Sequence, residues 1–210
     1  MPDFFLFFLL LIAALSHAIC HSILKYNKNP LGILGVTSIF EIIIFTPLVL
    51  TVPMPTPYIW VLIIVSSILH GFYRLLVIFS YDYGDLSFIY PIARGTSSLL
   101  LVIISLIYLT DKISLLGFIA IMIVCMGLFL ISYSDKIKFN YSAFGLGFLT
   151  AIMITAYTLV DGIGVRHSEN PFSFLYWMLL LNGTPALIAS FFFKNNGLRT
   201  VNKNLIFTGM

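Results

Sequence analysis

The sequence predicts an all-α, multi-pass transmembrane helical bundle, and three observations carry that prediction. Of 210 residues, 60% are hydrophobic and 9% are charged, against about 25% charged in an ordinary soluble domain. The apolar residues come in continuous runs, each near the roughly 20 residues a helix needs to cross about 30 Å of hydrocarbon. The runs do not alternate with a period of two, so they read as helices and not as barrel strands. Mean hydropathy is +1.06. A soluble chain of this size leaves much of its surface in water, so the composition excludes a cytosolic globular enzyme. A disordered chain and a nucleic-acid binder are excluded on the same ground. The net charge of +3 is small and scattered. Cys20 and Cys125 lie in apolar runs and give no disulfide framework.

Seven spans follow in order. The first, 4–24, follows Met1-Pro2-Asp3, which supplies no basic residue, and Ser16 to Cys20 lacks the small-residue pattern of a cleavage site. It therefore reads as an uncleaved span and not as a signal peptide. The others are 33–52, 58–80, 86–109, 114–133, 143–165 and 172–193. The breaks carry turn chemistry: Lys25 to Gly32, Pro53 to Pro57 (PMPTP), Tyr81 to Asp85, Thr110 to Ser114, Asp135 to Ser142 and His167 to Pro171. Such short connections make each helix antiparallel to the next.

Sliding the chain by 141 residues lays Lys25 to Pro30 (KYNKNP) over Arg166 to Pro171 (RHSENP). Both segments follow a helix with a polar interior and precede an apolar one. This fits two copies of five helices: residues 1–141 form the first and 142–210 begin the second. An odd number of helices per copy places the copies upside down relative to each other, the inverted-repeat arrangement of many transporters. The counterpart of the third span should begin near 199, so most of the last three helices of a ten-helix protein are expected to be missing, as in a fragment.

An ionisable side chain in a span costs about 2.5–3.5 kcal/mol on insertion scales and needs a partner or a wet cavity. Glu41 lies mid-span in the second helix. Ser66, His70, Tyr73 and Arg74 share one face of the third. Tyr90, Arg94, Ser98, Ser105 and Tyr108 form a stripe in the fourth, and Thr150, Tyr157 and Asp161 one in the sixth. Simpler readings stand beside these: Arg94 snorkelling to the interface, Asp161 facing water, and Glu41 as a protonated bond between helices. His17 and His21, four apart, are able to share a metal, but the pattern is unspecific; helix–helix hydrogen bonding or cavity lining is the preferred reading, and no metal or cofactor is assigned. Ala143, Gly147, Ala151 and Thr155 form a ridge of small residues suited to close helix packing. Pro91 and Gly95, flanking Arg94, suggest either a kink or early helix entry, or a broken helix start lining a substrate site.

The stretch from Tyr81 to Thr96, YDYGDLSFIYPIARGT, resembles the Y-x-x-G-D-L-S-x-x-Y-P-x-A-R-G signature of EamA-type permeases of the drug/metabolite transporter superfamily. His17-Ala18 with Lys25, then His70-Gly71-Phe72-Tyr73-Arg74, resemble that family's first and third spans. Asp111 to Ser114 takes the place of its entry to the fifth span, and Tyr157 to Arg166 is similar to the opening helix of its second half. The resemblance covers essentially the whole chain.

It implies a ten-helix inverted repeat in the cell (inner) membrane that moves a small metabolite by alternating access. The expected substrate set is His70, Tyr73, Arg74, Tyr90, Pro91, Arg94, Tyr157 and Asp161, around a cavity lined from spans one, three, four and six. His70 and Glu41 are the proton-coupling candidates. The expected partners are the bilayer and a small molecule, anionic or zwitterionic, with a homodimer left open and no nucleic acid. A metal-dependent lipid-modifying enzyme, a seven-helix receptor and a non-transporting subunit are the rival readings. Loop charges divide seven (Lys25, Lys28, Lys136, Lys138, Lys194, Arg199, Lys203) against two (Lys112, Arg166). That count places the amino terminus outside, whereas the family resemblance, which is preferred here, places both ends in the cytoplasm.

Overall fold

A computed structural model describes residues 2–109, 114–132 and 140–192, with side chains from residue 4 on and except those of 108 and 109. Those residues form helices and short connections, with no strand among them. The helices are α1 (Pro2–Tyr26), α2 (Pro30–Val49), α3 (Pro57–Tyr83), α4 (Leu86–Ile104), α5 (Leu115–Ser132), α6 (Tyr141–His167), α7 (Pro171–Asn182) and α8 (Thr184–Phe192). A π-helical turn, Ser105–Leu109, extends α4. Seven spans are long and apolar enough to cross a bilayer, α7 and α8 together making the seventh. Their bounds fall within about three residues of the expected ones.

The helix starts explain most of the differences. The break expected from Lys25 to Gly32 is shorter, because α1 runs on to Tyr26 and α2 begins at Pro30. Asn29 caps α2 by accepting from the Gly32 N–H at 2.8 Å, and Pro30 occupies the first turn, where its missing N–H costs nothing. The same pair recurs at Asn170-Pro171, where the Asn170 side chain accepts from the Phe172 N–H at 2.9 Å. The two halves of the sequence alignment thus play one local role, as helix caps. Asn140 caps α6 from the Ser142 N–H at 2.9 Å and also donates to the last turn of α3, at the Tyr83 carbonyl, 2.8 Å away.

The packing has α3 at its centre, against α6, α7 and α8, while α4 lies between α5 and α6 and α2 lies on α7 and α8. The small ridge of α6 does what its residues suggest. Ala143 and Ala151 are fully buried, and a Cβ on Gly147 would sit 3.4 Å from Ile92 of α4. Gly95 plays the reciprocal role against Phe129 of α5. Helix α4 is continuous through Pro91 and Gly95, so no broken start is present there, and Pro91 is buried within the sixth residue of the helix. The interruption falls instead at Gly183, in the seventh span. Helices α1 and α5 lie at the edge of the bundle and expose most of their apolar side chains, as lipid-facing helices do.

Tyr108, the expected entry at Asp111 to Ile113, the basic residues Lys112, Lys136, Lys138, Lys194, Arg199 and Lys203, and the expected ninth-span start near 199 lie outside the described residues or side chains.

Candidate functional site

The ionisable residues of the spans face inward and meet. Glu41 of α2 and Arg74 of α3 form a two-toothed ion pair, with the Arg74 terminal nitrogens donating to the Glu41 oxygens at 2.7 and 3.1 Å. Glu41 therefore does bond between helices, from α2 to α3, as an ion-pair partner of Arg74. Two turns earlier on α3, Ser66 donates to an oxygen of Asp161 on α6. His70 lies 3.8 Å from the other Asp161 oxygen through its Nε2, while its Nδ1 is 3.0 Å from the Ser66 carbonyl. That carbonyl only accepts, so His70 carries its proton on Nδ1 and turns Nε2 towards Asp161. Tyr157 stacks on His70, centroids 3.8 Å apart, and meets Tyr73 edge-on at 5.4 Å. Asp161 thus belongs to the interior network, with its side chain only 21% exposed.

Arg94 of α4 does not snorkel. Its guanidinium donates to Nε2 of His17 on α1 and lies against the Tyr90 ring at 5.8 Å. The Tyr90 and Tyr157 hydroxyls are within its hydrogen-bonding reach. It has no carboxylate partner among the described residues, so of the two half-buried arginines one is paired with a carboxylate and the other is not. His17 and His21 bond each other through their Nε2 atoms at 3.0 Å, and His21 Nδ1 is 2.6 Å from the Tyr81 hydroxyl. Among the described residues no three His, Cys, Asp or Glu side chains are grouped to hold a metal ion.

A cavity of about 450 Å³ opens beside this network, within the range of small-molecule sites. Its polar wall comprises His17, His21, Thr37, Glu41, His70, Tyr73, Arg74 and Tyr157. Its apolar wall is built by Ile23 and Leu24 of α1, Ile33 and Leu34 of α2, and Val77 of α3. Spans one, three and six supply lining as expected. Span four does not, and span two takes its place, because the Arg74 pair draws Glu41 into the wall. Tyr90 and Arg94 stand one side chain behind, against a void of about 10 Å³ that His21 and Tyr73 also line. Pro91 lines neither, being turned into the packed core of α4. Of the expected set, then, His70, Tyr73, Arg74 and Tyr157 line the cavity, and Asp161, Tyr90 and Arg94 contact residues that line it.

His17 and His21 thus take the helix-bonding and cavity-lining roles that their pattern offered beside metal sharing. The spacing His17, His21, Lys25, each four residues after the last, is the signal for a polar face of α1. Lys25 closes that face by donating to the Tyr81 and Gly84 carbonyls at the end of α3, the latter at 2.8 Å. On 1.5 Å of rise per residue, His17 lies about 14 Å below that end of α1, near mid-bilayer.

Fold and site together define a multi-pass α-helical membrane protein with a central network of ionisable residues beside a cavity. No protein-family model matches the chain, and neither does any curated protein or solved structure.

Proposed function

We propose that the protein is a permease that moves a small metabolite across the cell membrane by alternating access, of the EamA type its fourth-span signature resembles. One observation carries this reading: residues costly to bury, from four helices, converge on a cavity large enough for a metabolite. A purely structural network has no need of such a void. The apolar cluster of Ile59, Ile63, Phe174 and Met178 fills the bundle near the Pro53–Pro57 turn. The cavity residues of α1 and α2 lie towards the opposite end, where Lys25 binds α3. A pocket at one end and a packed cluster at the other suit one state of a carrier that exposes its site to each side in turn. In this reading the residues that line the cavity, His70 among them, contact the cargo as a set.

Flux into vesicles from cells expressing the full-length gene, measured against a panel of labelled metabolites, tests the reading. The expected result is saturable flux that Arg74→Ala and Arg94→Ala each reduce at least tenfold while the proteins still insert. Unchanged flux in both inserted variants would overturn it.

A further inference from the structure

Helix α1 joins the bundle through a polar face, and the directions of its hydrogen bonds follow from one residue. A guanidinium has donors and no acceptor, so the His17 Nε2 facing Arg94 must accept, and neutral His17 carries its proton on Nδ1. Nε2 of His21, 3.0 Å from the same atom, must then donate to it. That leaves His21 Nδ1 to accept from the Tyr81 hydroxyl at 2.6 Å. The chain reads Tyr81 to His21 to His17, with Arg94 donating from the far end. Two donors therefore compete for the single in-plane lone pair of His17 Nε2, an arrangement that a better acceptor for Arg94 would relieve.

We propose that this acceptor is the carboxylate of a monocarboxylic acid with an apolar body, bound at Arg94 together with one proton taken up on His17. His17 and Tyr157 both line the cavity and both touch Arg94, so the guanidinium is one side chain from the cargo space. A carboxylate fits its two-donor edge, while the Ile23, Leu24, Ile33, Leu34 and Val77 wall receives the apolar part. When the carboxylate takes Arg94, the His17 lone pair is released. The His21 Nε2 proton passes to His17 Nε2, the Tyr81 hydroxyl proton passes to His21 Nδ1, and a proton drawn from the bulk buffer, whose conjugate base stays in solution, restores the Tyr81 hydroxyl. The balance is one proton in, a His17 imidazolium, and a His21 that has exchanged its proton between nitrogens. Anion and proton together carry no net charge, which lowers the cost of moving them through the bilayer interior.

The other ionisable groups leave this exchange to His17. From α3, Tyr73 and Tyr81 face the imidazoles, and from α4, Tyr90 and Arg94 do. Across the cavity, Glu41 of α2 is neutralised by Arg74. His70 is engaged with Ser66, Asp161 and Tyr157. On α1 itself, Lys25 is bound to carbonyls and Cys20 is part of the cavity wall.

The inference rests on the permease reading for its biological role, but its test does not use transport. The full chain in lipid nanodiscs is titrated with benzoate, and with benzamide as the uncharged control, by calorimetry in two buffers of different ionisation enthalpy. The expected result is about one proton taken up per benzoate and an apparent Kd rising about tenfold per pH unit, with no benzamide binding. Arg94→Lys, which keeps the charge and loses the fork, should weaken binding at least tenfold. Folded His17→Gln should bind benzoate with no proton uptake. Benzoate binding without proton uptake, uptake retained in His17→Gln, or no benzoate binding by the folded protein would each overturn the inference. Proton-linked binding without benzoate flux in proteoliposomes would sink the permease reading and leave this site standing.

Discussion

Arg74 grips Glu41 with both terminal nitrogens, at 2.7 and 3.1 Å, reaching from α3 to α2 although the two helix backbones make little direct contact. Side-chain exposures of 16% and 26% leave little water to replace either partner. Removing one partner from a fully buried pair costs about 3–5 kcal/mol, and an exposed pair contributes roughly 0–1. Glu41→Gln should therefore destabilise the protein by about 2–3 kcal/mol. Arg74→Gln added to it should cost less than the two single changes summed. Unfolding in detergent micelles, run as a double-mutant cycle, checks both statements, and additive losses would show the pair to be energetically idle.

The break between α7 and α8 is shaped by the same pair. A Cβ added at Gly183 would meet Glu41 Oε2 at 2.7 Å and the Ser38 Cα of α2 at 3.0 Å. The Ser38 atom is backbone, so α2 must shift. Gly183→Ala should lower stability by about 1–3 kcal/mol, as overpacking does. Gly162→Ala in α6 meets nothing within 4 Å and should be neutral or slightly stabilising. Equal melting temperatures for the two variants would contradict the packing described for Gly183.

Asn140 serves two helices, capping α6 and bonding the α3 carbonyl at Tyr83, whereas Asn170 caps α7 alone. Loss of a cap costs about 1 kcal/mol. Asn140→Ala should thus cost roughly twice what Asn170→Ala does, read as the difference in unfolding free energy. A ratio near one would mean that the Tyr83 bond contributes nothing.

The α4–α6 seam depends on small residues. Ala151 is fully buried against α4, so Ala151→Leu should force the helices apart at a cost of about 1–3 kcal/mol or more. Gly145, on the same helix with open space around it, should accept Leu with little loss. Cross-linking between cysteines introduced into α4 and α6 would report the separation, and undiminished cross-linking in Ala151→Leu would refute the seam.

Much of this was readable along the chain. Continuous apolar runs have one stable solution in hydrocarbon, helices that satisfy their own backbone bonds, so the seven spans were legible from composition and turn residues to within about three residues, whereas the Asn-Pro pairs, aligned as a repeat, became helix caps only in the structure. The cost of burying charge marked out Glu41, His70, Arg74, Arg94 and Asp161 before any contact was known. Who pairs with whom was a matter for the tertiary structure. Spacing places Arg74 and Arg94 alike on polar faces, yet only the tertiary fold, with α2 laid on α7 and α8, brings Glu41 within reach of Arg74, while α1 presents His17, a neutral base, to Arg94. Side chains from separate helices meet by packing angles and small-residue approaches such as Gly183 on α2 and Gly147 on α4, and no one-dimensional spacing encodes those distances.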